Sequence, residues 1–221
     1  MMADAYGKLT GRPGICFVTR GPGATNASAG VHVARQDSTP MILFVGQIGR
    51  DMTDREAFQE VDYRQMFAPL AKWAAQIDTT ERIPEYVSHA YHLATSGRPG
   101  PIVLALPEDM LSARCDTPDA KPAIRIEPRA SEADMAELES LLKGAERPLV
   151  IVGGPLWSDE ARSRLEAFSS RTNVPVACAF RYQDYFDNRH DNYAGDVGIG
   201  PNPDLVRLVR ESDVLVALGP R

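Results

Sequence analysis

The 221-residue chain holds only three cysteines, Cys16, Cys115 and Cys178, an odd number set far apart. That spacing argues against a disulfide framework and against a close-spaced zinc site, and leaves buried or neutral thiols as the expectation. Long hydrophobic runs are missing too. Met41 to Val45, Val174 to Phe180 and Val214 to Leu218 are the longest, far below the roughly 18 residues that a bilayer span needs. The opening residues, Met1 to Lys8, lack the apolar core of a signal peptide, so a cytoplasmic protein is expected. Basic residues are outnumbered 24 to 30, which disfavours nucleic acid and anionic membrane as partners. Glycine and proline, 17 each, stay near ordinary usage and rule out a collagen-like or wholly disordered chain. What remains is a globular protein of awkward length, roughly one and a half domains at about 150 residues each.

Short apolar runs alternate with longer amphipathic stretches. Ile15 to Val18, Met41 to Val45, Ile102 to Leu106, Leu149 to Val152, Val174 to Ala177 and Val214 to Leu218 read as buried strands, because they are apolar without alternation. Met1 to Leu9, Ala24 to Arg35, Ile83 to Ser96, Glu132 to Lys143, Asp159 to Arg171 and Pro203 to Glu211 read as helices, with Ser131, Ser158 and Asn202 as N-caps. Gly11-Arg12-Pro13-Gly14 and Gly97-Arg98-Pro99-Gly100 read as helix-to-strand turns, glycine ending the helix and proline preventing its return. The fold class expected is α/β: two doubly wound, mostly parallel, three-layer (α/β/α) units. Residues 115–130, with Pro118, Pro122 and Pro128 among charges, read as the linker between a unit at 1–114 and one at 131–221. Both units are expected to be truncated, since one begins inside a helix and the other stops just past a strand that still needs covering.

The most informative stretch is Thr19-Arg20-Gly21-Pro22-Gly23-Ala24-Thr25-Asn26, which follows one strand and opens the next helix. Ligands of open α/β sheets bind at the carboxyl ends of strands, where glycines let the backbone approach a flat molecule. It is neither a Walker loop nor a dinucleotide fingerprint, lacking the lysine and the third glycine of those motifs. On the residues alone, a ligand-binding turn and a mere tight turn both stay open.

Taken in order, Gly21-Pro22-Gly23-Ala24-Thr25-Asn26, Asp37-Ser38-Thr39-Pro40, Gly46-Gln47, Ala57-Phe58-Gln59-Glu60, Lys72-Trp73 and Ser96-Gly97-Arg98-Pro99-Gly100-Pro101 form a series that resembles the thiamine-diphosphate enzymes related to acetolactate synthase. The likeness covers essentially the whole chain and is strongest from Gly11 to Asp109. Val152-Gly153-Gly154 and the closing Asp213 to Arg221 look like the family's central domain.

The resemblance implies that residues 1–114 are most of a pyrimidine-side cofactor domain and 131–221 an incomplete central, Rossmann-like domain. It further implies thiamine diphosphate with magnesium as cofactor, a small 2-oxoacid as substrate, and a homodimer or homotetramer in the complete protein. Gly21, Pro22, Gly23 and Asn26 match positions against the pyrimidine; Gln59 matches a glutamine facing the reactive carbon; Lys72 matches a lysine at the substrate entrance. Ser38 and Arg98 match positions that touch a flavin in FAD-containing members. Each also has a plainer reading: a helix-start hydrogen bond for Asn26, a solvated amide for Gln59, a surface cation for Lys72, and a helix cap for Arg98. The family's ylid-promoting glutamate would lie before Met1 and its Gly-Asp-Gly metal motif beyond Arg221, so this chain alone is expected to be catalytically silent.

Two departures bear on substrate and cofactor. Acetolactate synthases carry Pro-Lys-Asp after the strand at Ile102 to Leu106, whereas this chain reads Pro107-Glu108-Asp109, so an acidic fringe is expected where theirs is cationic. The family's flavin-side Gly-Met-His-Gly is replaced by Gly195-Asp196-Val197-Gly198-Ile199-Gly200-Pro201, which counts against FAD. His89 and His92, three apart on one helix, read as a solvated pair, and Glu60 with Asp62 as a polar loop. The activity implied is decarboxylation of a 2-oxoacid with transfer of the acyl unit to an acceptor. The alternatives are a decarboxylase of the same family, a non-catalytic interface partner of a longer homologue, and a nicotinamide-dependent dehydrogenase, the last opposed by the missing Gly-x-Gly-x-x-Gly.

Overall fold

The computed structural model describes residues 1–126, 128–155 and 157–220. The chain divides into two compact units, Met1–Glu127 and Pro128–Arg221. Glu127 of the expected linker and Arg221 of the closing phrase lie outside the described residues.

The first unit runs α1 (Met2–Thr10), β1 (Gly14–Val18), α2 (Pro22–Asp37), β2 (Met41–Gln47), α3 (Tyr63–Phe67), β3 (Trp73–Gln76), α4 (Ile83–Thr95), β4 (Pro101–Pro107) and α5 (Glu108–Ser112). Its four strands are all parallel, in the order β1-β2-β4-β3. Side chains on successive residues of a strand point to opposite faces, and both faces here are covered. Leu43, Val45, Val103 and Ala105 pack with Ala24, Val31 and Ala34 of α2 and with Tyr63 and Phe67 of α3. Ile42, Phe44, Ile102 and Leu104 pack on the other side with Ala90 and Ala94 of α4 and Met110 of α5. That double burial is why β2 and β4 read as unbroken apolar runs.

The second unit runs α6 (Glu132–Gly144), β5 (Pro148–Val152), α7 (Asp159–Thr172), β6 (Val176–Ala179), β7 (Tyr193–Val197), α8 (Pro203–Glu211) and β8 (Val214–Leu218), a parallel sheet ordered β7-β6-β5-β8. Val150, Val152, Val176 and Cys178 pack with Leu165 of α7, and Leu149 and Ala177 with Leu205 of α8. Ser131, Ser158 and Asn202 each cap a helix by accepting a backbone N–H, Ser131 within a capping box closed by Asp134. Gly11 ends α1 in the left-handed region at φ 66°, and Gly97, at φ 54°, follows α4. Residues 113–126 and 128–131 are exposed and hold no helix or strand.

The structure corrects the sequence expectations at the sheet edges. Two strands, β3 and β7, have no counterpart among the expected ones, and each is an edge strand. β3 is the half-buried Trp73-Ala74-Ala75-Gln76, poor in β-branched residues. β7 carries Gly195 at φ 108° beside a register irregularity opposite Val176 and Ala177. β1 and β8, expected buried, alternate: Ile15, Phe17 and Leu215 are exposed, because an edge strand can leave one face uncovered. β6 starts two residues later than the expected Val174.

Candidate functional site

Two loops meet at the carboxyl end of the first sheet. One is the β1–α2 turn, where Gly21 adopts φ 58° and ψ −117° as the N-cap of α2 and Pro22 takes the first helical position. The other is the segment from the end of β2 to α3. A Cβ on Gly21 would lie 2.7 Å from Gln59 Cβ, so Gln59 packs directly on the glycine and only glycine fits beneath it. Gly23 makes a similar close approach to the Thr19 methyl, which tightens the same turn.

The second loop is built to hold that contact. Gln47, the last residue of β2, donates through Nε2 to Val61 O at 2.8 Å and accepts the Ile48 N–H at 3.0 Å. The Glu60 carboxylate accepts the N–H groups of Asp54 at 2.7 Å and Ala57 at 3.0 Å. Asp62 caps α3 by accepting from Arg64 and Gln65, which delivers buried Tyr63 to accept the Gly21 N–H on its phenolic oxygen at 2.6 Å. Burial raises the Tyr63 pKa, against the pull of that hydrogen bond and the Arg20 charge. Glu60 and Asp62 are therefore loop-building groups, as their plainer reading held. Asp54, Glu56 and Gln59 all stand at positive φ without being glycine, each costing about 1–3 kcal/mol at a strained site.

Within this region two amides are uncommitted. Gln59 is half-buried and its side chain forms no hydrogen bond among the described residues; Asn26, exposed on the first turns of α2, forms none either. The helix-start bonds belong instead to Thr25, whose hydroxyl donates towards Gly21 O and Pro22 O. An exposed proline ring, a glycine turn and two open amides offer apolar contact together with both donors and acceptors.

Lys72, Ser38 and Arg98 lie elsewhere. Lys72 immediately precedes β3, its backbone N–H bonds Pro101 O at the start of β4, and its ammonium donates to Leu93 O at 2.5 Å and Ser96 O at 2.6 Å, capping α4. Burial, with Arg35 and Arg98 adding repulsion, lowers its pKa. Arg98 donates to Ser38 Oγ at 2.8 Å and to Arg35 O at 2.7 Å. In a parallel sheet these positions belong to the amino ends of the strands, opposite Gly21 and Gln59. The candidate residues thus separate into a carboxyl-end group of Gly21, Pro22, Gly23, Asn26 and Gln59 and an amino-end group of Lys72, Ser38 and Arg98.

The expected acidic fringe is present but paired. Glu108 accepts from Arg20 Nη1 at 2.8 Å, and Asp109 accepts from Arg50 Nε at 2.6 Å. Arg50 also reaches Asp78 O, tying the ends of β2, β3 and β4 together. Sequence reasoning missed Arg20, Arg50 and Tyr63. Arg20 directly precedes Gly21, the one signal that marked its place; Tyr63 carried none, since its role depends on a partner 42 residues away.

His89 lies edge-on to Trp73 at 4.8 Å and stays exposed with His92. His190 Nε2 stands 2.8 Å from Ser170 Oγ, but its Nδ1 accepts the Asn192 N–H, so the neutral ring donates from Nε2 and cannot take the serine proton. Among the described residues no three His, Cys, Asp or Glu side chains gather as a metal site. No helix among them is long and apolar enough to cross a membrane.

The architecture is that of a doubly wound α/β protein with a glycine turn and a strained polar loop at the carboxyl end of its first sheet. The thiamine pyrophosphate enzyme N-terminal TPP binding domain matches residues 1–66, and the central domain of the same enzymes matches residues 135–221. The chain belongs to the thiamine pyrophosphate enzyme family. It is 33% identical over 227 aligned residues to the acetolactate synthase large subunit of Corynebacterium glutamicum, covering 99% of this chain and 36% of that protein. It is 30% identical to the acetolactate synthase isozyme 2 large subunit of Escherichia coli, covering 100% of this chain and 40% of that one. A solved structure, the thiamine diphosphate-dependent 4-hydroxybenzoylformate decarboxylase of Rhodococcus jostii, shares the fold at a TM-score of 0.83 with 23% identity, over 98% of this chain and 42% of its own. The chain therefore spans about two fifths or less of the length of these relatives.

Proposed function

We propose that the first unit supplies the pyrimidine-side wall of a thiamine diphosphate site and that the protein decarboxylates a 2-oxoacid, passing the remaining acyl unit to an acceptor. One observation carries the reading: the amides of Gln59 and Asn26 stand uncommitted on either side of a glycine turn at the carboxyl end of the sheet. These residues fit the group. Pro22 offers its ring to an aromatic face, and each amide both donates and accepts, as the neutral edge of an aminopyrimidine requires. Thiamine diphosphate, when bound, supplies the electron sink that decarboxylation of a 2-oxoacid needs.

The chain's own residues orient and exclude water. The loop that carries Gln59 is held by the Glu60 and Gln47 bonds, so the backbone at Gln59 needs little reordering when a ligand arrives, while the unbonded amide is left to turn towards it. Tyr63 keeps the turn from relaxing, and Phe58, exposed beside Gln59, offers apolar surface. Lys72 is left in this reading as the cap of α4. Ser38 and Arg98 hold each other at the amino ends, and no flavin is assigned to them. The reading carries with it magnesium beside the diphosphate, a homodimer or homotetramer, and a cytoplasmic setting, which metal analysis, sedimentation and cell fractionation would check.

The experiment is a nitrogen-15 NMR titration of the chain with thiamine diphosphate. Shifts confined to Gly21, Gly23, Asn26, Gln59 and their neighbours are expected; shifts absent there would overturn the reading.

A further inference from the structure

The side chain of Arg20, on the residue before Gly21, is incompletely satisfied. Its Nη1 donates to Glu108 Oε2 at 2.8 Å, yet its Nε is buried without a hydrogen-bond partner. A guanidinium carries five N–H donors in a planar fork, and a buried N–H left unpaired costs free energy that an incoming acceptor recovers. Arg50, its neighbour on the same rim, differs: its Nε bonds Asp109 and its Nη1 bonds a backbone carbonyl. The Arg20 side chain is 27% exposed, so part of the guanidinium faces solvent although its Nε is covered. Its counter-ion Glu108 is 63% exposed at the first position of α5 and free to swing into water, so a ligand reaches the Nε only as the Arg20 side chain turns towards it.

We infer that Arg20 binds the carboxylate of the substrate beside the Gln59 amide, with Glu108 as a resting counter-ion that the substrate displaces. An uncommitted Nε next to an Nη matches the two oxygens of a carboxylate, which a lysine ammonium would not. Glu108 sets the threshold for binding: it holds the guanidinium in place when the site is empty and competes with every anion that enters. The inference deepens the function proposed above, from which it takes the 2-oxoacid as the carboxylate in question.

Pyruvate serves as the probe and its uncharged methyl ester as the control, with the arginine Nε–H resonances of the chain followed by NMR. The Arg20 Nε–H signal is expected to shift and saturate with pyruvate and to stay still with the ester. Glu108→Gln removes the competing charge and is expected to tighten pyruvate about fivefold. Arg20→Met is expected to abolish the response, and Arg20→Lys, which keeps the charge without the fork, to weaken it about tenfold. An Arg20 signal indifferent to pyruvate, or a Glu108→Gln chain that binds it no more tightly, overturns the inference even if Arg20→Met fails to fold. Thiamine diphosphate added separately keeps the two readings apart. If it leaves Gly21 and Gln59 unmoved while pyruvate still titrates Arg20, the cofactor reading falls and a carboxylate site remains.

Discussion

The backbone N–H of Gly21 donates to the phenolic oxygen of Tyr63 at 2.6 Å, so a strand-to-helix turn is locked by the first residue of α3. The bond is buried, so removing the phenol takes away the partner of the Gly21 N–H. Tyr63→Phe is expected to cost about 1–3 kcal/mol, the penalty of an orphaned buried donor. Urea unfolding would measure the loss, and hydrogen exchange at the Gly21 amide should quicken with it. An unchanged midpoint would mean that the turn stands without the tyrosine.

Gln59 allows stability and binding to be separated. Its φ of 67° suits glycine better than an amide side chain. Gln59→Gly should therefore stabilise the first unit by about 1 kcal/mol while weakening thiamine diphosphate, the pattern of strain retained for function. Gly21→Ala should do the reverse damage, destabilising the turn and displacing Gln59 together. A glycine at 59 that binds as well as glutamine would show the amide to be idle.

Lys72 tests the division of the candidate residues into two ends of the sheet. Lys72→Met removes the donor that holds Leu93 O and Ser96 O, and should lower thermal stability by about 1–2 kcal/mol. Because it lies at the amino end, the same variant should leave the thiamine-induced shifts at Gln59 intact. A variant that keeps its melting temperature but loses the ligand would return Lys72 to the site.

Cys178 gives the second unit a defined alkaline limit. Burial pushes its thiol up from 9.0 to about 11, so the fold holds it protonated where an unfolded chain would release the proton. Stability from this group is complete below pH 9 and is lost as the pH climbs towards about 11. Cys178→Ala should flatten that slope in denaturation curves collected across the window. Exposed Cys115 should meanwhile react freely with iodoacetamide under native conditions, and Cys178 should not.

The central strands and the capped helices were legible because local chemistry determines them. β2 and β4 are buried on both faces and so read as apolar runs, and Ser131, Ser158 and Asn202 announce helix starts by themselves. β3 and β7 were not, since an edge strand needs neither a run nor a clean alternation: Trp73-Ala74-Ala75-Gln76 is defined by pairing with β4, a fact of tertiary structure. The same divide runs through the site. Gly21 to Asn26 and Gln59 stood out as phrases, but nothing local shows that Gln59 rests on Gly21 or that Glu108 answers Arg20. Lys72 shows the same limit: a position in a phrase does not say which end of a parallel strand it occupies, and its bonds to Leu93 O and Ser96 O are facts of tertiary structure.

The most direct measurement is the nitrogen-15 amide map of the chain with and without thiamine diphosphate. The structure predicts perturbation at the carboxyl end of the first sheet, at Gly21, Gly23, Asn26 and Gln59, with Lys72, Ser38 and Arg98 unmoved. Perturbation centred on the amino-end group, or none at Gly21 and Gln59 at saturating ligand, would contradict it.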